Sequence, residues 1–114
     1  MTVQLTQDSL IEALRALRQD HPELPAISWE ISPYSNAGLR GHAYTQDRDL
    51  EVLEAYATVI GGSIRPAIIF NAAGVDMQSF ALHGRWADVP FHLSGSVTVS
   101  SYAASLRERL AVAS

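Results

Sequence analysis

His83, Asp88, His92 and Ser94 lie close together in the chain and are of the types that hold metal ions or carry nucleophilic catalysis. Two imidazoles and a carboxylate are a transition-metal ligand set, and a hydroxyl beside an imidazole and a carboxylate is the raw material of acyl transfer. The spacing argues against both. No His-x-His or His-Glu-x-x-His pair occurs, Asp88 falls in a turn, and no third ligand is indicated. Ser94 and His92 stand two apart on a strand, so their side chains project in parallel and miss the nucleophile–base hydrogen bond. Gly61-Gly62-Ser63 follows a helix instead of opening one, so its amides do not cradle phosphate. Of the acids Glu30, Asp47, Asp49, Glu51 and Glu54, four fall in or near the first turn of one helix, where the macrodipole favours them and solvated charge is the ordinary reading. The chain has no cysteine, which removes disulfides, zinc ribbons, iron–sulfur clusters and thiol nucleophiles together. The expectation is no catalytic residue, no metal and no cofactor. A small hydrolase or metalloenzyme around His83 and His92 is the minor alternative.

The elements that must position these residues follow from periodicity. Leu5, Thr6 and Leu10 make a helix start, with the Thr6 hydroxyl as cap and the two leucines as hydrophobic staple. Leu10, Leu14 and Leu17 recur at helical spacing over residues 7–20, and Pro22 and Pro25 end that helix. Over residues 26–34, Ile27, Trp29 and Ile31 alternate with Ser28, Glu30 and Ser32, the pattern of a strand with one buried face. A turn at residues 35–38 leads into a second strand at 39–44. Thr45 or Asp47 is expected to cap a second helix carrying Leu50, Leu53, Ala57 and Ile60, which Gly61-Gly62 stops. Strands at 64–70 and 77–86 flank the turn Asn71–Gly74. Ala87-Asp88 then connects tightly to a strand at 89–99 bearing Val89, Phe91, Leu93, Val97 and Val99 on one side. Ser100 or Ser101 caps a last helix with Ala103, Leu106 and Leu110 in line. The fold expected is a single α+β domain over residues 1–114. It has an antiparallel sheet of about five strands, helices on one face, and the order α-β-β-α-β-β-β-α.

The same parity assigns the other sheet face. Arg40, His42, Tyr44, Arg65, His83, Arg85 and His92 fall there, with Ser28, Glu30, Ser32, Ser94, Ser96 and Thr98. Three of the four histidines and three of the eight arginines therefore share one side, while the acids gather on the first two helices, so the net charge of -4 conceals a mildly basic face. Those seven residues are the candidate binding site. The leading expectation is a non-catalytic module that contacts a protein partner, or a second copy of itself, through this face or an edge strand. The alternative is recognition of single-stranded nucleic acid, which needs phosphate contacts and stacking, yet only Tyr44 is aromatic among the seven. From Asp47 onward the element order is that of a double-stranded-RNA-binding domain, but Ser101-Tyr102-Ala103-Ala104 lacks the cations such a domain uses. Apolar runs such as Pro66–Phe70 are far short of the ~18 residues a membrane span needs. The N-terminus has neither the basic region nor the apolar run of a secretion signal, which gives a cytoplasmic expectation.

Three stretches carry a resemblance: LPAISW from Leu24 to Trp29, GLRGHA from Gly38 to Ala43, and LHGRWADVPFHLSGSV from Leu82 to Val97. In these the chain resembles small α+β proteins, themselves without assigned activity, of high-GC actinobacteria and of their phages and mobile elements. The resemblance implies a compact α+β domain from such a genome and brings no ligand or catalytic residue with it.

Overall fold

The first helix begins where a hydroxyl replaces missing backbone partners. In the structure, a computed structural model that describes residues 6–31 and 38–113, Thr6 caps α1 (Gln7–Asp20). Its Oγ1 accepts from the Ser9 amide at 3.1 Å while Ser9 Oγ accepts from the Thr6 amide at 2.8 Å, a reciprocal capping box. Leu5, the other half of the expected staple, lies outside the described residues. Leu10, Ala13 and Leu17 form the buried side of α1.

The strands are β1 (Ser28–Ile31), β2 (Leu39–His42), β3 (Ile64–Ala72), β4 (Val75–Trp86) and β5 (Val89–Thr98), with α2 (Asp49–Ile60) between β2 and β3 and α3 (Val99–Ala113) after β5. They form one sheet in the order β1-β2-β5-β4-β3. The α+β class and the five strands are as expected; the purely antiparallel sheet is not. β1–β2, β3–β4 and β4–β5 are antiparallel, but β2 and β5 run parallel, so the sheet is mixed. The cause lies in the chain path: the β3–β4–β5 meander returns β5 to the inner side of β2, beside a strand of the same direction. Pro90 stands near the start of the central strand β5. Its missing amide is tolerated because the β2 ladder begins one residue later, at Leu39–Phe91. Pro66 lies on an edge strand, β3, beside a register shift between Pro66 and Ile69. Ser32 and the turn residues 35–37 lie outside the described residues.

Helix ends also differ from expectation. Asp47 has φ 62° and does not cap α2; Arg48 occupies that position without a side-chain capping hydrogen bond. The Asp47 carboxylate reaches the start of α3 instead, accepting from the Thr98 amide at 2.6 Å and from the Thr98 and Ser101 hydroxyls. The α3 cap is Thr98, whose Oγ1 accepts from the Ser101 amide at 3.1 Å, so Val99 belongs to the helix and not to the preceding strand. Hydrogen bonds from Ser101 and Thr98 hold the Asp47 carboxyl below its ordinary value of 3.8. A carboxylate depressed on folding stabilises the protein above its unfolded pKa, and that contribution disappears as pH falls through the folded value. Asp47→Asn should therefore narrow its stability gap from the parent as pH drops below about 4. The gap should be under about 1 kcal/mol because the group is exposed; urea unfolding at a series of pH values reads it.

One sheet face is covered. Leu39 and Phe91, with Phe80, Leu82, Leu93 and Val97, join Leu10, Leu17, Val52, Leu53, Tyr56 and Ile60 in a single core. Trp29 stands edge-on to Phe91 at 5.9 Å and to Tyr56 at 6.0 Å, and Tyr102 of α3 does the same to Phe80 at 4.9 Å. The strand glycines make room for the helices: a Cβ on Gly84 would lie 2.7 Å from the Ile60 carbonyl oxygen, and one on Gly95 2.8 Å from the Asp49 Cβ.

Candidate functional site

Two-residue turns set the phase of the pairing that builds the face which, among the described residues, no helix covers. Ala87 and Asp88 both have positive φ, 51° and 62°, the signature of a type I′ hairpin turn between Trp86 and Val89. The residues flanking such a turn exchange hydrogen bonds, and alternation along the unbroken ladder then makes His83–His92 a non-hydrogen-bonded pair. Side chains of such pairs stand closest, and the two imidazoles meet: Nδ1 to Nδ1 is 2.7 Å, with ring centroids 4.7 Å apart and planes at 79°. At that distance one Nδ1 donates its proton and the other accepts it.

The parallel pair assembles a second group. His42 stands opposite Ser94 across β2 and β5, and its Nδ1 lies 2.5 Å from the Ser94 hydroxyl. On its other side His42 Nε2 is 3.7 Å from Glu30 Oε2. That separation admits an ion pair when the imidazole is charged but exceeds a hydrogen bond. A serine, an imidazole and a carboxylate thus stand in line across three strands. The relay is incomplete as a catalyst, because the carboxylate does not hold the ring by a hydrogen bond.

Every candidate in the described strands takes the face expected from parity. Arg40 stands between Glu30 and His92 in the cross-sheet register, and His83 continues that row. Ser28, His42, Ser94, Ala81 and Arg65 form the row beside it. Tyr44 follows β2, is 79% exposed and has its ring 6.2 Å from His42. Arg85 follows His83 by two residues on the same face and donates back to the Asp88 carbonyl oxygen at 3.2 Å, while Arg65 stands opposite Ala81 on the edge strand. The arrangement therefore unites Arg40, His42, His83 and His92, with Tyr44 adjoining and Arg65 and Arg85 at the margins. Sequence reasoning missed the His42–Ser94 contact, since the partners are 52 residues apart and parity carries no information about which strands adjoin.

Asp49, expected to be solvated, is 3% exposed. Its carboxylate accepts from the Thr45 amide at 2.8 Å, the Thr45 hydroxyl and the Ser96 amide at 2.8 Å, so it ties the start of α2 to β5. It serves structure. The signal that marks it is Gly95, the strand residue without a side chain on which it rests.

A groove of about 700 Å³ lies on the helical side, between α1 and the segment leading to β1, with Trp29 and Tyr56 in its lining. It shares no residue with the open face. Its Tyr56 hydroxyl donates to the Pro25 carbonyl oxygen at 2.5 Å, and burial holds that phenol above its ordinary value against the opposing charge of Arg18. Among the described residues no group of three or more His, Cys, Asp or Glu is placed to hold a metal ion, and no helix is long and apolar enough to cross a membrane. No family model, curated protein or solved structure matches the chain.

Proposed function

We propose that this chain is a non-catalytic interaction module whose uncovered sheet face binds a protein partner through an acidic surface on that partner. The observation that carries the reading is segregation: among the described strand residues of this face, Arg40, Arg65 and Arg85 stand against one carboxylate, Glu30, in a chain whose net charge is -4. Such a face steers an acidic partner toward itself and away from the helical side, where the acids are concentrated. Tyr44, largely exposed at the rim of the histidine cluster, supplies the kind of flat amphipathic anchor that dominates interface energetics together with arginine. The histidines are already engaged, His42 with Ser94 and His83 with His92, which presents the partner with an ordered polar floor.

The test is purification from the protein's own host at mild salt, identification of the co-eluting protein, and titration of the purified pair. Arg40→Ala with Arg85→Ala should raise the dissociation constant at least about tenfold, by loss of roughly 1.4 kcal/mol or more, while the melting temperature holds. A second copy of this chain acting as partner would appear as a dimer weakened by the same two substitutions. Unchanged affinity in the double variant removes this face from the interaction. Co-purifying nucleic acid, with strongly salt-dependent binding to single-stranded oligonucleotides, would replace the protein reading with the nucleic-acid one.

A further inference from the structure

We infer that His83 and His92 form a two-nitrogen chelating site for a divalent transition ion of square-planar or tetragonal preference, Cu²⁺ first and Ni²⁺ second. The inference is independent of the partner proposed above. Its basis is the approach of two ring nitrogens on a rigid antiparallel ladder, Nδ1 to Nδ1 at 2.7 Å.

Ion preference follows from the bite. Imidazole nitrogens bind first-row divalent ions at about 2.0–2.1 Å, so two ligands at a right angle are about 2.9 Å apart and two at a tetrahedral angle about 3.3–3.4 Å apart. The pair would open by about 0.2 Å for the first geometry and about 0.6–0.7 Å for the second. The first is within rotation of the two rings; the second requires the strands to yield. Geometry thus works against Zn²⁺, and the general affinity order of divalent ions adds to the preference for Cu²⁺.

Proton balance is simple. In the contact as it stands one ring carries its proton on Nδ1 and points it at the other. Movement of that proton to Nε2 of the same ring frees both Nδ1 lone pairs, so two neutral rings take up the ion without releasing a proton. Among the described residues the protein donors are the two imidazole nitrogens, with no third His, Cys, Asp or Glu in the group. Charged neighbours moderate the affinity: Arg40, opposite His92 across β2 and β5, and Arg85, two residues from His83 on the same face, repel the ion, and Glu30, opposite Arg40, offsets part of that repulsion.

The experiment uses the full chain without a histidine tag, in a non-coordinating buffer at about pH 7.5. Calorimetric titration with CuCl₂ should give one ion per chain, and electron spin resonance of the complex should show coupling to two equivalent imidazole nitrogens. His83→Ala and His92→Ala should each weaken Cu²⁺ binding at least about tenfold. His42→Ala and His21→Ala should leave it within about twofold, which separates this site from the other two histidines. Arg40→Ala, which removes a cation without touching a ligand, should tighten binding by about two- to fivefold, more at low salt. Absence of saturable Cu²⁺ binding, retention of binding in His83→Ala with the fold intact by circular dichroism, or tighter binding of Zn²⁺ than of Cu²⁺ would each overturn the assignment.

Discussion

Asp49→Ala should lower the free energy of unfolding by about 3–4 kcal/mol, the cost of removing a buried carboxylate that accepts several hydrogen bonds. The carboxylate takes two backbone amides, Thr45 and Ser96, as well as the Thr45 hydroxyl. Thr45 is exposed and can recover its bonds from water. The Ser96 amide is part-buried under α2, and alanine leaves it facing a cavity over Gly95. Asn at the same position retains one acceptor oxygen and presents an amide group where the second oxygen was, so Asp49→Asn should lose about half as much. Urea unfolding at neutral pH decides the matter. A loss below about 1 kcal/mol for the alanine variant would mean that solvent reaches Ser96 and that the carboxylate does not anchor α2.

The second large effect is expected at the other end of α2. Gly84→Val should destabilise by about 3 kcal/mol or more, near the upper end of what overpacking costs. The reason is the identity of the colliding atoms: a Cβ at Gly84 meets the carbonyl oxygens of Ile60 and Gly61 at 2.7 and 2.8 Å, so the last turn of the helix must lift from the sheet. Gly41 supplies the contrast. A Cβ there meets Ile27 Cδ1 at 2.6 Å and Leu93 Cδ2 at 2.7 Å, both at the ends of side chains that can rotate away. Gly41→Ala should therefore be the milder change, at about 1–2 kcal/mol. For a domain of this size 3 kcal/mol corresponds to a fall in melting temperature on the order of 10–20 °C, which differential scanning calorimetry resolves from the Gly41 variant. Equal losses at the two positions would show that α2 is not seated on the Gly84 backbone.

The legible part of this fold is the part written in two-residue alternation. Trp29, Leu82, Phe91 and Leu93 on one parity and Arg40, His83, Arg85 and His92 on the other assign two faces, and the register in the structure has the same assignment. The His83–His92 proximity was also within reach, because a two-residue turn at Ala87-Asp88 leaves little freedom in how the strands pair. The parallel β2–β5 contact was not. Periodicity orients a strand's side chains without naming its neighbour, and so the His42–Ser94 bond and its alignment with Glu30 stayed hidden. The burial of Asp49 is illegible for a related reason. An acid in the first turn of a helix is usually satisfied by the helix itself and by water, and only Gly95 in the middle of an apolar strand hinted that another group needed the space.

The position of β5 between β2 and β4 has a bearing on how the chain is made. A ribosome releases the β1–β2 hairpin early, yet its inner edge is completed only by residues that are synthesised much later, with His42 and Ser94 separated by 52 positions. Until then the nascent chain carries an incomplete sheet with Trp29 and Leu39 lacking Phe91 beneath them, the kind of intermediate that holdase chaperones capture. Closure of so distant a pairing sets a slow step for a protein this small, and the meander of β3, β4 and β5, whose contacts are all between chain neighbours, is the unit that can assemble first and wait for the N-terminal segment to dock.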